Sequence, residues 1–501
     1  MKKFAIALAT AALLATTAAA SAQSTLRIGL QEDPDFLDPH RARTYVSRLV
    51  FTALCDKLID STPDLQFTPR LATEWAWSPD NKTLTMKLRD GVKFHDGEPF
   101  NAEAVKFNIE RARTLPDSMR KSEISSIDTV EVVDPLTVKF NLKRPDAALL
   151  SQLTDRAGMM LSPKAVSAPD FAQKPVCSGP YKFVQRVPQD RIVLEKFDGY
   201  WNKDALGFDR VVFLPIPDQT VRLANLRSGG LDIVERLAAT DVKSAKQDPN
   251  LTVISVPGLG FQQIDINTNN GEQSNTPLGK DARVRQALAL TLDRGALNDV
   301  VFEGLYTPGA QPFAPASPFY VKDIPMARDV DKAKALLKEA GVTMPFKFEL
   351  RVPNNPVLQQ VGQVIQAMAS EGGFEVSLLA GEYASMLKEM EQGKYQATIQ
   401  GWSGRMDPDG NIHQFVTCAG SQNDAKYCNK ELDALLNEAR ATNELEKRKE
   451  LYKQALVIMD RDMQAIYMYY EPRIFAMTKK VDGFVPYPDG MIRFEGLKYA
   501  Q

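Results

Sequence analysis

From about residue 283 onward the sequence swings repeatedly between two hydrophobic periods, and that swing constrains the fold more than any single motif. Within 283–294, Val284, Ala287, Leu288 and Leu292 recur at helical spacing. Residues 331–340 repeat the pattern and stop at Gly341, which suits the left-handed position that ends a helix. Residues 346–352 then read as a strand, 356–370 as a helix and 375–379 as a further strand. The stretches 430–441 and 445–462 form a helical hairpin with leucines along one stripe, and 466–470 and 474–478 return as strands. Strands alternating with helices imply an α/β organisation with sheets covered on both faces.

The first half is richer in strands. Residues 25–30 alternate Leu26, Ile28 and Leu30 against polar neighbours, and 44–57 is helix-like. Strands follow at 84–89, 129–133 and 137–142, the last two joined by a turn at Asp134-Pro135. Residues 181–187 and 191–197 make a hairpin around Pro188-Gln189-Asp190. Residues 210–216 lead into a helix that starts near Asp218 and stops at Gly229-Gly230.

The chain begins like an export signal. Lys2 and Lys3 precede an apolar stretch from 4 to 14, and Ala20-Ser21-Ala22 supplies small residues for cleavage after Ala22. That apolar stretch is shorter than the ~20 residues a bilayer-spanning helix needs, and no later segment reaches 18 unbroken apolar residues. The expectation is an exported, soluble, monomeric protein without membrane insertion. With 61 basic and 63 acidic residues and a net charge of −2, there is no broad basic field for nucleic acid.

Four cysteines in an exported chain invite pairing. Cys418 and Cys428 enclose a short polar loop, which leaves Cys55 for Cys177 unless those two are buried free thiols. Three pairings exist on paper. The search for catalysis is nearly empty. The three histidines, His40, His95 and His413, sit in no metal-ligand spacing. There is no G-x-S-x-G elbow, and Gly279-Lys280-Asp281 lacks the spacing and hydroxyl of a P-loop. The Gly258-Leu259-Gly260 pair reads as a turn. The expectation is no enzyme, no cofactor and no metal.

Against that blank, one run stands out. Residues 71–111, LATEWAWSPDNKTLTMKLRDGVKFHDGEPFNAEAVKFNIER, combine an alternating strand, a Gly-containing turn and a helix opened by Asn101. The run resembles the signature of the peptide/nickel/opine group of extracellular solute-binding proteins, family 5, the capture subunits of ABC importers. Further matches are FLDPHRARTYVSRLVFTALCDKL at 36–58, PVCSGPYKFV at 175–184, ANLRSGGLDI at 224–233, DARVRQALALTLDR at 281–294 and GWSGRMDPDGNIHQFVTC at 401–418. The resemblance implies a two-lobed periplasmic-binding-protein fold (type II, cluster C) that crosses between lobes twice. Lobe one would hold 23–262 and 478–501, with an extra subdomain at about 65–170, and lobe two 266–474. Crossings are expected near 262–270 and 469–478. The implied role is capture of a peptide or peptide-like solute in the periplasm and delivery to a membrane permease and its ATPase. Opines, glutathione-like compounds, metal chelates and presentation to a chemoreceptor remain alternatives.

The resemblance also nominates residues. In peptide-binding relatives an aspartate after the GW segment holds the peptide's α-ammonium. Here that position is Arg405, a fork suited to a carboxylate or phosphate, so an acidic solute is expected. Trp402, Ser403, Gly404 and Asp407 belong to the same segment. Ser178 lies in a turn where relatives commonly have GTGPY, and Cys177 beside it favours a Cys55–Cys177 bridge over a packing swap. Arg351 and Asn354 at a strand end, Tyr45 and Gln262 at the lobe-one rim and hinge, and Tyr383 complete the expected ligand set.

Overall fold

The computed structural model describes residues 24–322 and 324–500, so the expected leader at 1–22 lies outside the described residues. Two large sheets organise the chain. The first has seven strands in the order Leu251–Val256, Arg473–Thr478, Ile233–Val234, Thr25–Leu30, Arg210–Pro215, Arg191–Lys196 and Tyr181–Val187. Thr25–Leu30 lies at its centre, parallel to Arg210–Pro215 on one side and to Ile233–Val234 on the other. Leu26, Ile28 and Leu30 are fully buried in its core against the helix Tyr45–Leu54. That helix is opened by Thr44, whose hydroxyl accepts from the Ser47 amide.

The second sheet has six strands: Thr307–Pro308, Ala465–Tyr470, Phe261–Ile266, Ala397–Trp402, Phe346–Pro353 and Phe374–Gly381. Phe346–Pro353 runs parallel to both its neighbours. The helices Ala282–Thr291, Val330–Glu339 and Pro356–Glu371 pack apolar stripes onto this sheet. The helical pair Lys430–Ala441 and Leu445–Asp462 builds a neighbouring core with Phe313, Trp402 and Tyr467.

The chain passes from the first sheet to the second between Val256 and Phe261, and returns between Tyr470 and Arg473. The first crossing falls earlier than the expected 262–270, because Phe261–Ile266 is wholly paired inside the second sheet, to Ala397–Trp402 and Ala465–Tyr470. Likewise Arg473–Thr478, expected within the second crossing near 469–478, pairs with Leu251–Val256 in the first sheet. The Gly258-Leu259-Gly260 turn is the crossing itself. A Cβ on Gly258 would lie 2.2 Å from the Glu471 carbonyl oxygen, and one on Gly260 would lie 2.1 Å from that of Trp402. The two crossing segments run that close together.

A separate four-stranded antiparallel sheet, Ala72–Trp77, Thr83–Leu88, Thr137–Leu142 and Ile127–Asp134, packs the helix Ala102–Thr114 over its own core. Two disulfides are present, Cys55–Cys177 and Cys418–Cys428, which resolves the pairing left open by the sequence. Among the described residues no helix is long and apolar enough to cross a membrane.

Candidate functional site

A cavity of about 150 Å³ opens between the two large sheets. Its walls come from the carboxyl ends of parallel strands, where side chains leave the sheet without a neighbouring strand to cover them. Thr25–Leu30 leads into Gln31, Glu32 and Asp33, and Ile233–Val234 leads to Arg236. From the opposite side Phe346–Pro353 delivers Asn354, Phe374–Gly381 delivers Glu382 and Tyr383, and Ala397–Trp402 delivers Trp402 and Ser403. Three helices begin at the cavity wall: Tyr45–Leu54, Pro356–Glu371 and Tyr383–Glu391, capped by Thr44, Asn355 and Glu382.

Of the nominated residues, Tyr45, Gln262, Asn354, Tyr383, Trp402 and Ser403 line this cavity. Trp402 presents its ring there while its indole N–H donates to the Asn411 side chain at 3.0 Å. Tyr45 donates its hydroxyl to the Gly490 carbonyl at 2.8 Å, and its ring faces Arg236 at 4.4 Å. The Gln262 amide donates to Glu471 at 2.9 Å.

The others are engaged elsewhere. Arg405 is 5% exposed and does not line the cavity. Its guanidinium meets the Asp155 carboxylate at 2.5 Å and stacks over Trp402 at 4.2 Å. Arg48 reaches the same carboxylate at 3.0 Å and donates to the Ser403 hydroxyl at 2.8 Å. Burial would raise the Asp155 carboxyl, but Arg405, Arg48 and Arg156 together hold it well below the usual carboxylate range. The expected contact between Arg405 and an acidic solute is therefore replaced by a protein carboxylate. Asp407 takes a two-pronged pair with Arg448 at 2.8 and 2.9 Å. Arg351 is held by Glu389 and, at 3.2 Å, by Glu349. Ser178 is fully buried and its hydroxyl donates to the Met160 carbonyl at 3.3 Å. Gly404 sits at φ +83° where a Cβ would lie 2.2 Å from the Leu259 backbone, so it serves close chain approach.

The Arg405–Asp155 and Arg48–Ser403 contacts tie the two sheets' bodies together. Arg43, just before the Tyr45–Leu54 helix, donates to Asp424 at 2.5 Å and Glu391 at 2.8 Å from the far side. The Arg440 guanidinium holds Asp409 at 2.6 and 2.8 Å and also donates to the Ser122 carbonyl at 2.9 Å. The bodies are thus joined by ion pairs beside the cavity, with Arg43 itself on its wall.

Among the cavity residues that the sequence reading did not nominate are Glu32, Arg43 and Arg236. The available signal was that Glu32 follows a strand and Arg236 lies three residues after the ANLRSGGLDI segment, but only the sheet order puts both strand ends at one place. The three histidines are packed rather than clustered. Burial lowers His40 to about 3 and both His95 and His413 to about 4. Among the described residues no group of three or more His, Cys, Asp or Glu side chains is placed to hold a metal ion.

Two sheets joined by two short crossings, with a polar and aromatic cavity between them, suit the enclosure of a solute. The comparisons agree and specify the class. Residues 66–423 match the model of the bacterial extracellular solute-binding proteins, family 5. The chain belongs to that family. It is 31% identical to the dipeptide-binding protein of Escherichia coli K12 over 97% of this chain and 96% of that one. It is 30% identical to the glutathione-binding protein GsiB of Pectobacterium atrosepticum, again over 97% and 96%. The fold matches a crystal structure of a dipeptide-binding protein from Pseudoalteromonas sp. SM9913 in complex with Met-Leu, with a TM-score of 0.88. That match has 23% identity and covers 95% of this chain and 100% of that one. The architecture is the cluster C periplasmic-binding-protein fold.

Proposed function

We propose that this protein captures a peptide or peptide-like organic solute in the cavity between its two sheets and hands it to the permease and ATPase of an ABC importer in the periplasm. The observation that carries the reading is the composition of the cavity wall. Glu32, Tyr45 and Arg236 come from the first sheet's body, and Asn354, Tyr383, Trp402 and Ser403 from the second's, so one solute touches both. Such contacts form only when the bodies approach, which gives the solute the differential free energy needed to populate a closed form. The two short crossings serve as the hinge. On this reading 24–256 with 473–500 and 261–470 move as the two lobes. A micromolar dissociation constant corresponds to about 8 kcal/mol, within reach of a few charge-assisted hydrogen bonds plus stacking on Trp402. The names of the similar proteins, a dipeptide binder and a glutathione binder, support a solute of peptide class.

The test is calorimetry and thermal unfolding with dipeptides, tripeptides and glutathione. One solute class raises Tm and binds at one site per chain, and it is recovered unchanged after incubation. No stabilisation by any peptide-class solute contradicts the peptide assignment.

A further inference from the structure

Of the three carboxylates on the cavity wall, two already have protein partners. Asp33 accepts from Arg186 at 2.8 Å and from the Gln189 amide at 3.2 Å. Glu382 caps its helix, accepting from the Ala384 and Ser385 amides at 3.0 and 2.8 Å. Glu32 has no hydrogen bond and no ion pair within 4 Å from its side chain, although it is half-buried and lines the cavity. An ionised carboxylate withdrawn from water without a partner is costly. A protein that keeps one in a binding cleft keeps it for an incoming group.

Arg236 is its counterpart. It also lines the cavity, and its guanidinium makes no hydrogen bond; Glu471 at 3.5 Å and Glu235 at 3.9 Å balance its charge from a distance. Its backbone is held at φ +50°, a left-handed conformation rare outside glycine, and the Arg222 guanidinium donates to its carbonyl at 3.3 Å. Strain tolerated at a cavity wall is the kind that positions a side chain. Tyr383 and Trp402 supply aromatic faces opposite.

We infer that Glu32 receives the protonated amine of the solute, with Arg236 receiving its carboxylate, so that this cleft selects zwitterions. The inference rests on the solute-capture reading and names the chemical class within it. It reverses the charge preference expected from Arg405, whose guanidinium is consumed by Asp155. A solute without the amine leaves Glu32 unpartnered, and one without the carboxylate leaves Arg236 with only the distant Glu471 and Glu235. The electrostatics fit. Burial, together with Glu235, Asp35 and Glu382, outweighs the opposing effect of Arg236 and raises the empty-cleft Glu32 carboxyl to about 8. Tyr383 adds no charge there, since burial and Glu32 push its phenol up. An arriving ammonium favours the ionised carboxylate, so binding at pH 7 expels a proton from Glu32.

The experiment uses the full mature chain and three equimolar libraries: free dipeptides, the same dipeptides N-acetylated, and the same C-amidated. A deproteinised extract of the source cells is run in parallel. Capture is read by native mass spectrometry, affinity and proton release by calorimetry in phosphate and Tris. Wild type should capture free dipeptides, or an amine- and carboxylate-bearing solute from the extract, and neither blocked library. Glu32→Gln should weaken binding by roughly 10- to 100-fold and abolish proton release, with its Tm confirming that it folds; Glu32→Asp should retain release. Free dipeptides bound equally by wild type and Glu32→Gln, or capture of the N-acetylated library, overturns the inference and leaves the peptide reading standing. A non-peptide zwitterion taken from the extract and lost in Glu32→Gln does the reverse. Capture of nothing overturns both.

Discussion

Arg405 reads from the sequence as a carboxylate fork, and in the structure the carboxylate it meets is that of Asp155. The pair is buried, with side chains about equally withdrawn from water, and Arg48 completes it from the helix Tyr45–Leu54. Removing one partner from such a pair typically costs about 3–5 kcal/mol. Arg405→Ala should therefore weaken the closed form and lower affinity for every solute by a similar factor, leaving the ratio between any two solutes unchanged. Calorimetry with two solutes of different affinity checks this. A change in ranking would put Arg405 back in contact with the ligand. Because the Asp155 carboxyl lies well below its ordinary value, its contribution is present above the unfolded carboxyl value and is lost only as pH falls through the folded one. Lowering pH from 8 to 5 should leave this pair intact. Glu32 works with the opposite sign. Its carboxyl rises from 4.5 to about 8 on folding, so ligand-free stability falls as pH rises across that window. Glu32→Gln should flatten the dependence and raise the ligand-free Tm at pH 8–9 while changing little at pH 4.

At the scale of elements, the turn 175–180 shows what a sequence motif can and cannot say. The Cys55–Cys177 bridge fastens this turn to the end of the helix Tyr45–Leu54, and Gly179 lies so close that a Cβ would meet the Leu54 carbonyl at 2.5 Å. The turn is a structural weld, and Ser178 is part of it rather than of the cavity. In the chain-entropy picture a loop of 122 residues is worth about 5 kcal/mol, against about 3 for the 10-residue loop closed by Cys418–Cys428. Cys55→Ala with Cys177→Ala should lower the denaturant midpoint more than Cys418→Ala with Cys428→Ala, and equal losses would contradict this. The helices of the second half were legible because one face is apolar and the caps are plain: Asn355 before Pro356, Asn429 before Lys430. The strands Phe261–Ile266 and Ala397–Trp402 were not. Both are central and covered on two faces, so neither alternates, and GW read as a motif without its strand.

The whole molecule is organised around two crossings, at 256–261 and 470–473, that join the two sheets beside the cavity. Gly258 permits the near contact between them, with 2.2 Å from a would-be Cβ to the Glu471 carbonyl. Gly258→Ala should push the crossings apart and shift the solute-free particle toward a larger radius of gyration in small-angle scattering, with weaker binding. Family and fold class were legible because motifs recur in order along the chain. The placement of Glu32 and Arg236 at one cavity was not, since they come together only through parallel strand ends far apart in sequence. The most direct measurement is a crystal structure of the protein purified from its source cells without refolding, at a resolution that defines a small solute. The account predicts a zwitterionic solute between the two sheets, its amine on Glu32, its carboxylate on Arg236 and its body against Trp402. A solute held by one sheet alone, or one lying against Arg405 with Asp155 displaced, would contradict it.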